Sequence, residues 1–115
     1  MCSTATSALP HESAVEDFVE RIEASDFSTV QRLVLFGSVA RETHSPRSDI
    51  DVLAVLDSGV DASAVEERLR DEAYEVMLDH GTPFSIHAVI ESDLERRSDH
   101  PFFRNVLTEG RTISA

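Results

Sequence analysis

Apolar residues recur along this chain with two different periods. Val15, Phe18, Val19 and Ile22 fall at helical spacing. They follow Ser13-Ala14-Val15-Glu16, a serine three residues ahead of a glutamate as in a capping box. The helix is expected to open there and to end near Ser25-Asp26. Val30 to Phe36 reads as a strand that Gly37-Ser38 breaks. Ser38 to Glu42 then reads as a short helix, and Thr43 to Ser48, with Pro46, as a loop. Asp49 to Leu56 is a second strand. After Asp51 it is apolar without alternation, the pattern of a strand covered on both faces. Asp57-Ser58-Gly59 turns the chain, and Ser63-Ala64-Val65-Glu66 repeats the capping-box pattern. Val65, Leu69, Ala73, Val76 and Met77 stripe a long helix that Gly81 can close. Pro83 to Ile90 is a third strand, and Ser92-Asp93-Leu94-Glu95 caps a short helical turn. Pro101 suits the first position of a last helix, with Phe102, Phe103, Val106 and Leu107 as its buried face. Gly110 ends that helix, and Arg111 to Ile113 adds a short edge strand. The alternation predicts an α/β or α+β fold: a small mixed sheet of three to four strands with helices packed against it.

Length and composition narrow the picture. The 115 residues suffice for one core. Residues 1–12 read as a flexible tail and 13–115 as a single domain. The opening residues, Met1 to Pro10, have no basic start and no apolar centre, unlike a secretory signal. No apolar run approaches the roughly 18 residues that a membrane helix needs. The single cysteine, Cys2, lies in the tail and has no internal partner for a disulfide. These features together predict a cytoplasmic protein without membrane contact.

Charge changes the expected partners. The chain carries 22 acids against 10 bases, a net −12, and every base is arginine. Such a surface repels nucleic acid, whose binding rests on basic contacts to phosphate. Acids spread along the whole chain, with lysine absent, resemble proteins of salt-loving microbes. The alternative is an acidic partner-binding domain, for which a block of acids is the expected pattern. An interface on this surface is expected to be apolar or arginine-containing, with Val39, Phe102 and Phe103 as candidates.

The candidate chemistry sits in Leu33-Val34-Leu35-Phe36-Gly37-Ser38 and, after a ten-residue spacer, Asp49-Ile50-Asp51. Residues two apart on a strand point to one side, so Asp49 and Asp51 converge while Ile50 faces the core. Two hard oxygen ligands suit Mg²⁺, which retains positions for water and phosphate. Gly37 permits close backbone approach to a phosphate, and Ser38, opening a helix, can aim its N–H and hydroxyl at the anion. Gly-Ser alone is a common turn, and Asp-x-Asp alone is often only solvated charge at a strand end. Their joint placement at strand ends, without disturbing the core pattern, is the stronger signal. Arg41, about one helical turn after Ser38, and Arg47 flank the site loop and can contact phosphate. His44, His80 and His100 are not spaced as a metal cluster. His80 is expected at the end of the long helix, where a cation is favoured. The Glu66 to Glu72 run reads as a solvated helix face.

Gly37-Ser38-x10-Asp49-x-Asp51 matches the signature of the polymerase-β-like nucleotidyltransferase superfamily, and the small size resembles its minimal nucleotidyltransferase (MNT) members. Phe84 to Ile90 and His100 to Arg111 resemble the tail of MNT proteins partnered with HEPN proteins. The resemblance spans about residues 13 to 113. It implies the polymerase-β-like fold, binding of Mg²⁺ and ATP, and transfer of a nucleoside monophosphate. In HEPN–MNT pairs it implies an antitoxin that adenylylates a tyrosine of the HEPN ribonuclease toxin. By that resemblance Gly37 and Ser38 contact the triphosphate, and Asp49 and Asp51 hold the metal.

One departure stands out. Family members often carry a third carboxylate on the later strand as base for the acceptor hydroxyl, whereas Pro83 to Ile90 contains no acid. Its polar residues are Ser85 and His87, two apart and so on one face. Either His87 takes the base role, since imidazole exchanges protons near neutral pH, or two carboxylates suffice, or activity is lost. The first case is a protein adenylyltransferase. The last is an antitoxin that neutralises its toxin by binding alone. An antibiotic-modifying enzyme like the aminoglycoside nucleotidyltransferases is disfavoured, because those carry an extra domain. With little chain left to enclose an acceptor, the acceptor surface is expected from a partner or a second subunit, in a homo- or hetero-oligomer.

Overall fold

A computed structural model of the chain describes residues 10–25, 27–37 and 49–114. Its elements are α1 (Pro10–Ala24), β1 (Val30–Phe36), β2 (Ile50–Leu56), α2 (Ala62–His80), β3 (Phe84–Ile90), α3 (Glu91–Arg96), α4 (Pro101–Glu109) and β4 (Arg111–Ser114). The four strands form one mixed sheet in the order β3-β2-β1-β4. β1 runs antiparallel to both β2 and β4, and β2 runs parallel to β3. The fold is therefore the mixed α+β sheet with helices that the periodicity predicts. The short helix expected over Ser38 to Glu42 and the loop to Ser48 lie outside the described residues. No helix among the described residues is long and apolar enough to cross a membrane.

The two faces of the sheet are covered unequally. On one, Leu33, Leu35, Ile50, Val52, Ala54, Leu56 and Ile86 pack under α1 and α2, against Ala14, Phe18, Ile22, Val65, Leu69, Ala73 and Val76. The Phe18 and Phe84 rings meet at 5.0 Å between centroids. On the other, Val34, Leu53, Val55 and Val89 meet only Leu94 from α3 and Val106 from α4, with Phe36 and Phe103 alongside. β2 is buried from Val52 to Leu56, as its unbroken apolar run requires.

Several local expectations shift. α1 starts at Pro10, three residues before the Ser13 signal, because proline is pre-set for a first helical turn. The cap of α2 is Asp61, whose carboxylate accepts from the N–H groups of Ser63 and Ala64. The nearer Ser63 lies within the helix. Gly81 closes α2 in the left-handed conformation at φ 73°. α4 opens with Pro101 at its first turn and buries Val106. Phe102 and Leu107, expected inside, are exposed, since two short helices cannot cover a full helical stripe on this thinner face.

The Glu66 to Glu72 run is more than a solvated face. Glu66 accepts from the Ala88 N–H at 2.8 Å and pairs with Arg70 at 3.0 Å. Arg70 donates to the Ile86 carbonyl at 3.4 Å. Arg68 lies over the Phe27 ring. Arg21 bridges Asp17 of its own helix to Asp79 and Glu72 of α2, and His80, the last residue of α2, meets Asp17 at 3.0 Å. These pairs tie α1 to α2.

Candidate active site

β1 ends at Phe36, which lies opposite Asp51 in the β1–β2 register. The next residue, Gly37, turns with φ +77°, a conformation that side chains strongly disfavour. It is also hemmed in: a Cβ at Gly37 would overlap the Asp51 carboxylate and stand 3.2 Å from its Cγ. Glycine is thus required here both by backbone conformation and by the carboxylate packed against it. The two halves of the sequence motif meet at this point.

Asp49 is exposed just ahead of β2, and Asp51, the second residue of that strand, is half-buried. Ile50 between them is fully buried, as the alternation requires. The Asp51 carboxyl is held above its ordinary value, first by burial and then by the charge of Asp49. His87 pulls the other way. Two carboxylates that repel each other, one of them partly desolvated, form a donor set that a divalent cation would relieve. Their hard oxygens match Mg²⁺, with phosphate and water free to complete its shell. Among the described residues no group of three or more His, Cys, Asp or Glu converges as a metal cluster.

β3 supplies the other flank. In the parallel register Ser85 lies opposite Asp51, and His87 opposite Leu53, one step along the same face. His87 is exposed. Its ring lies 5.9 Å from Phe36 and 5.8 Å from Phe102, and those two phenyl rings meet edge to face at 5.6 Å. Phe103 continues the cluster at 5.2 Å from Phe102. These aromatics floor the site beside Asp51. The sequence reading placed His87 correctly on the face of Ser85 but missed Phe36 as a site neighbour. The signal was available, since the residue before Gly37 is carried to the strand end with it. His100 accepts from the Phe102 N–H through Nδ1 and serves as the cap of α4. His80 is an ion-pair partner. Ser38 and Arg41, together with Val39, His44 and Arg47, lie outside the described residues.

Comparison with known proteins agrees with this arrangement. The family model described as nucleotidyltransferase domain matches residues 15–113. A Methanocaldococcus jannaschii relative, provisionally named a protein adenylyltransferase, is 32% identical over 104 residues, covering 89% of this chain and 96% of its own. A solved toxin–antitoxin structure with AMP-PNP has a similar fold, with a TM-score of 0.62 at 18% identity over 88% of this chain and 73% of that one. The family match runs from α1 to β4 and includes the Gly37 turn and both carboxylates, so this chain belongs to the nucleotidyltransferase domain family.

Proposed function

We propose that this protein transfers AMP from ATP to a hydroxyl of a partner protein, as the antitoxin of a HEPN ribonuclease whose tyrosine it modifies. The observation that carries this reading is the Asp51 carboxylate packed against the Gly37 turn, with Asp49 two residues before it. The named function of the Methanocaldococcus relative supports protein adenylylation, and the toxin–antitoxin neighbour supports the pairing.

Asp49 and Asp51 would hold Mg²⁺, which when bound neutralises triphosphate charge and favours departure of pyrophosphate. Gly37, lacking a side chain, lets the β1–Gly37 backbone approach the phosphates. Ser38 and Arg41 are assigned to the same triphosphate. The acceptor hydroxyl oxygen attacks the α-phosphorus in line. The new O–P bond forms as the bond from the α-phosphorus to the bridging oxygen breaks, and that oxygen leaves with pyrophosphate. The hydroxyl proton passes to a ring nitrogen of His87, on the flank of Asp51 away from the Gly37 turn. The aromatic floor limits water around Asp51 and fixes the imidazole between Phe36 and Phe102.

Labelled ATP, Mg²⁺ and the HEPN-domain protein encoded beside this chain test the reading. The wild type is expected to label that partner, and Asp49→Asn or Asp51→Asn to reduce labelling by at least about a hundredfold. β3 has no acid, and this favours one rival: an antitoxin that acts by binding alone. Neutralisation of the toxin by both Asn variants, with no label transferred by the wild type, would establish the rival.

A further inference from the structure

The sheet edge beside the candidate carboxylates is open to a groove of about 290 Å³, lined by Arg70, Tyr74 and Met77 of α2 and by Phe84, Ser85 and His87 of β3. Its inner end is the Ser85–His87 face, which flanks Asp51 in the β2–β3 register. Its outer wall is Tyr74, 55% exposed, with Leu78 exposed one helical turn further on. The rim is acidic: Asp71 and Glu75 are exposed beside Tyr74, while the charge of Arg70 is met by Glu66. The groove is not a slot for an added strand, because Glu66 and Arg70 already occupy the Ala88 N–H and the Ile86 carbonyl on the outer edge of β3. What fits is a side chain entering from the edge, on a segment whose own charge is positive. A polyphosphate would be repelled by the same rim.

Resting on the reading above, we infer that this groove is the acceptor channel: it takes the hydroxyl-bearing aromatic side chain of a basic segment of the partner protein and leads it to His87 and Asp51. Tyr74 and Met77 supply an aromatic face and an adaptable thioether for that ring. The nucleotide then enters from the Gly37 side of Asp51 and the acceptor from the β3 side, so the two substrates reach the carboxylates from opposite flanks.

Tyr74 is the only tyrosine of the chain. Biosynthetic 3-fluorotyrosine therefore places one ¹⁹F reporter in the groove, invisible in any unlabelled partner. The HEPN-domain partner, added to the labelled Asp49→Asn protein, is expected to shift or broaden that resonance. Mg²⁺ with AMP-PNP alone is expected to leave it in place. In the active enzyme, Tyr74→Ala is expected to raise KM for the partner about tenfold or more, with kcat within threefold and nucleotide affinity unchanged. A complex formed with an unmoved resonance would overturn the channel, and so would a resonance moved by AMP-PNP alone, which would mark a nucleoside site. If the partner moves the resonance yet no label is transferred by the wild type, the docking groove stands and the transferase reading falls. If no complex forms, both fall.

Discussion

Asp51 holds its proton to higher pH in the folded chain than in the unfolded one, where its ordinary value is 3.8. Above that value the folded state binds more protons than the unfolded state, so this residue makes stability fall as pH rises through the raised pKa. Thermal melts in divalent-free buffer should show wild type losing ground to Asp51→Asn between about pH 4 and pH 7. The carboxyl is only partly buried and solvent screens it, so the difference at pH 7 should stay below about 1 kcal/mol. Parallel melting curves for the two proteins would contradict the assignment. Mg²⁺ should reverse the ranking, because only the wild type gains binding free energy from the ion. Gly37 gives a second prediction at this scale. Gly37→Ala must hold a Cβ at φ +77° and displace the Asp51 carboxylate. The backbone alone costs about 1–2 kcal/mol. A lower denaturation midpoint should therefore accompany lost AMP transfer, and a variant with wild-type transfer would show that the Gly37–Asp51 contact is dispensable.

β4 is the shortest strand and reaches β1 only because Gly110 lets the chain leave α4 closely. A Cβ at Gly110 would run into the Val106 carbonyl and stand 2.6 Å from Val34 Cγ1. Gly110→Ala should destabilise the protein by about 1–3 kcal/mol, read as a lower midpoint in chemical denaturation, as overpacking does. An unchanged midpoint would mean that β4 can shift without loss. How far elements were legible in the sequence depends on what defines them. β1 and β3 follow from apolar runs bounded by Gly37 and Pro83, so local signals suffice. The start of α1 and the cap of α2 were misplaced because two capping signals compete at each, and helix entry is decided by geometry over several residues. The phase of α4 was misjudged for a different reason. Its stripe of Phe102, Phe103, Val106 and Leu107 predicts burial, but burial needs a covering layer, and none covers Phe102 and Leu107 in this chain. The role of Glu66 on the β3 edge is tertiary and leaves no mark on its own helix. For the site, Asp49, Asp51 and Gly37 were legible because strand alternation and a turn fix them. The aromatic floor was not, since it joins β1, β3 and α4 across 66 positions, from Phe36 to Phe102.

At the scale of the molecule, charge sets the working conditions. With 22 acids and 10 bases, repulsion outweighs the pairs that Arg21 and Arg70 make. Raising salt from about 0.1 M to 1 M shortens the screening length from about 10 Å to 3 Å, so the Tm should climb by several degrees. A Tm that falls with salt would give the ion pairs the larger share and remove the case for a salt-adapted protein. Strand order was beyond the sequence: nothing local says that β2 lies between β1 and β3 or that it runs parallel to β3. That central position has a consequence for motion. β2 has hydrogen-bonded neighbours on both sides and a buried side chain at nearly every position, whereas α3, α4 and β4 form a thin, short-element layer. In amide hydrogen exchange the β2 amides should be among the last to exchange, in the globally unfolded state, while α4 and β4 exchange through local openings. The carboxylates thus ride on the most slowly exchanging part of the molecule, and the wall beside them on a fast one, so the protein can admit and release its reactants without loosening the residues that act on them.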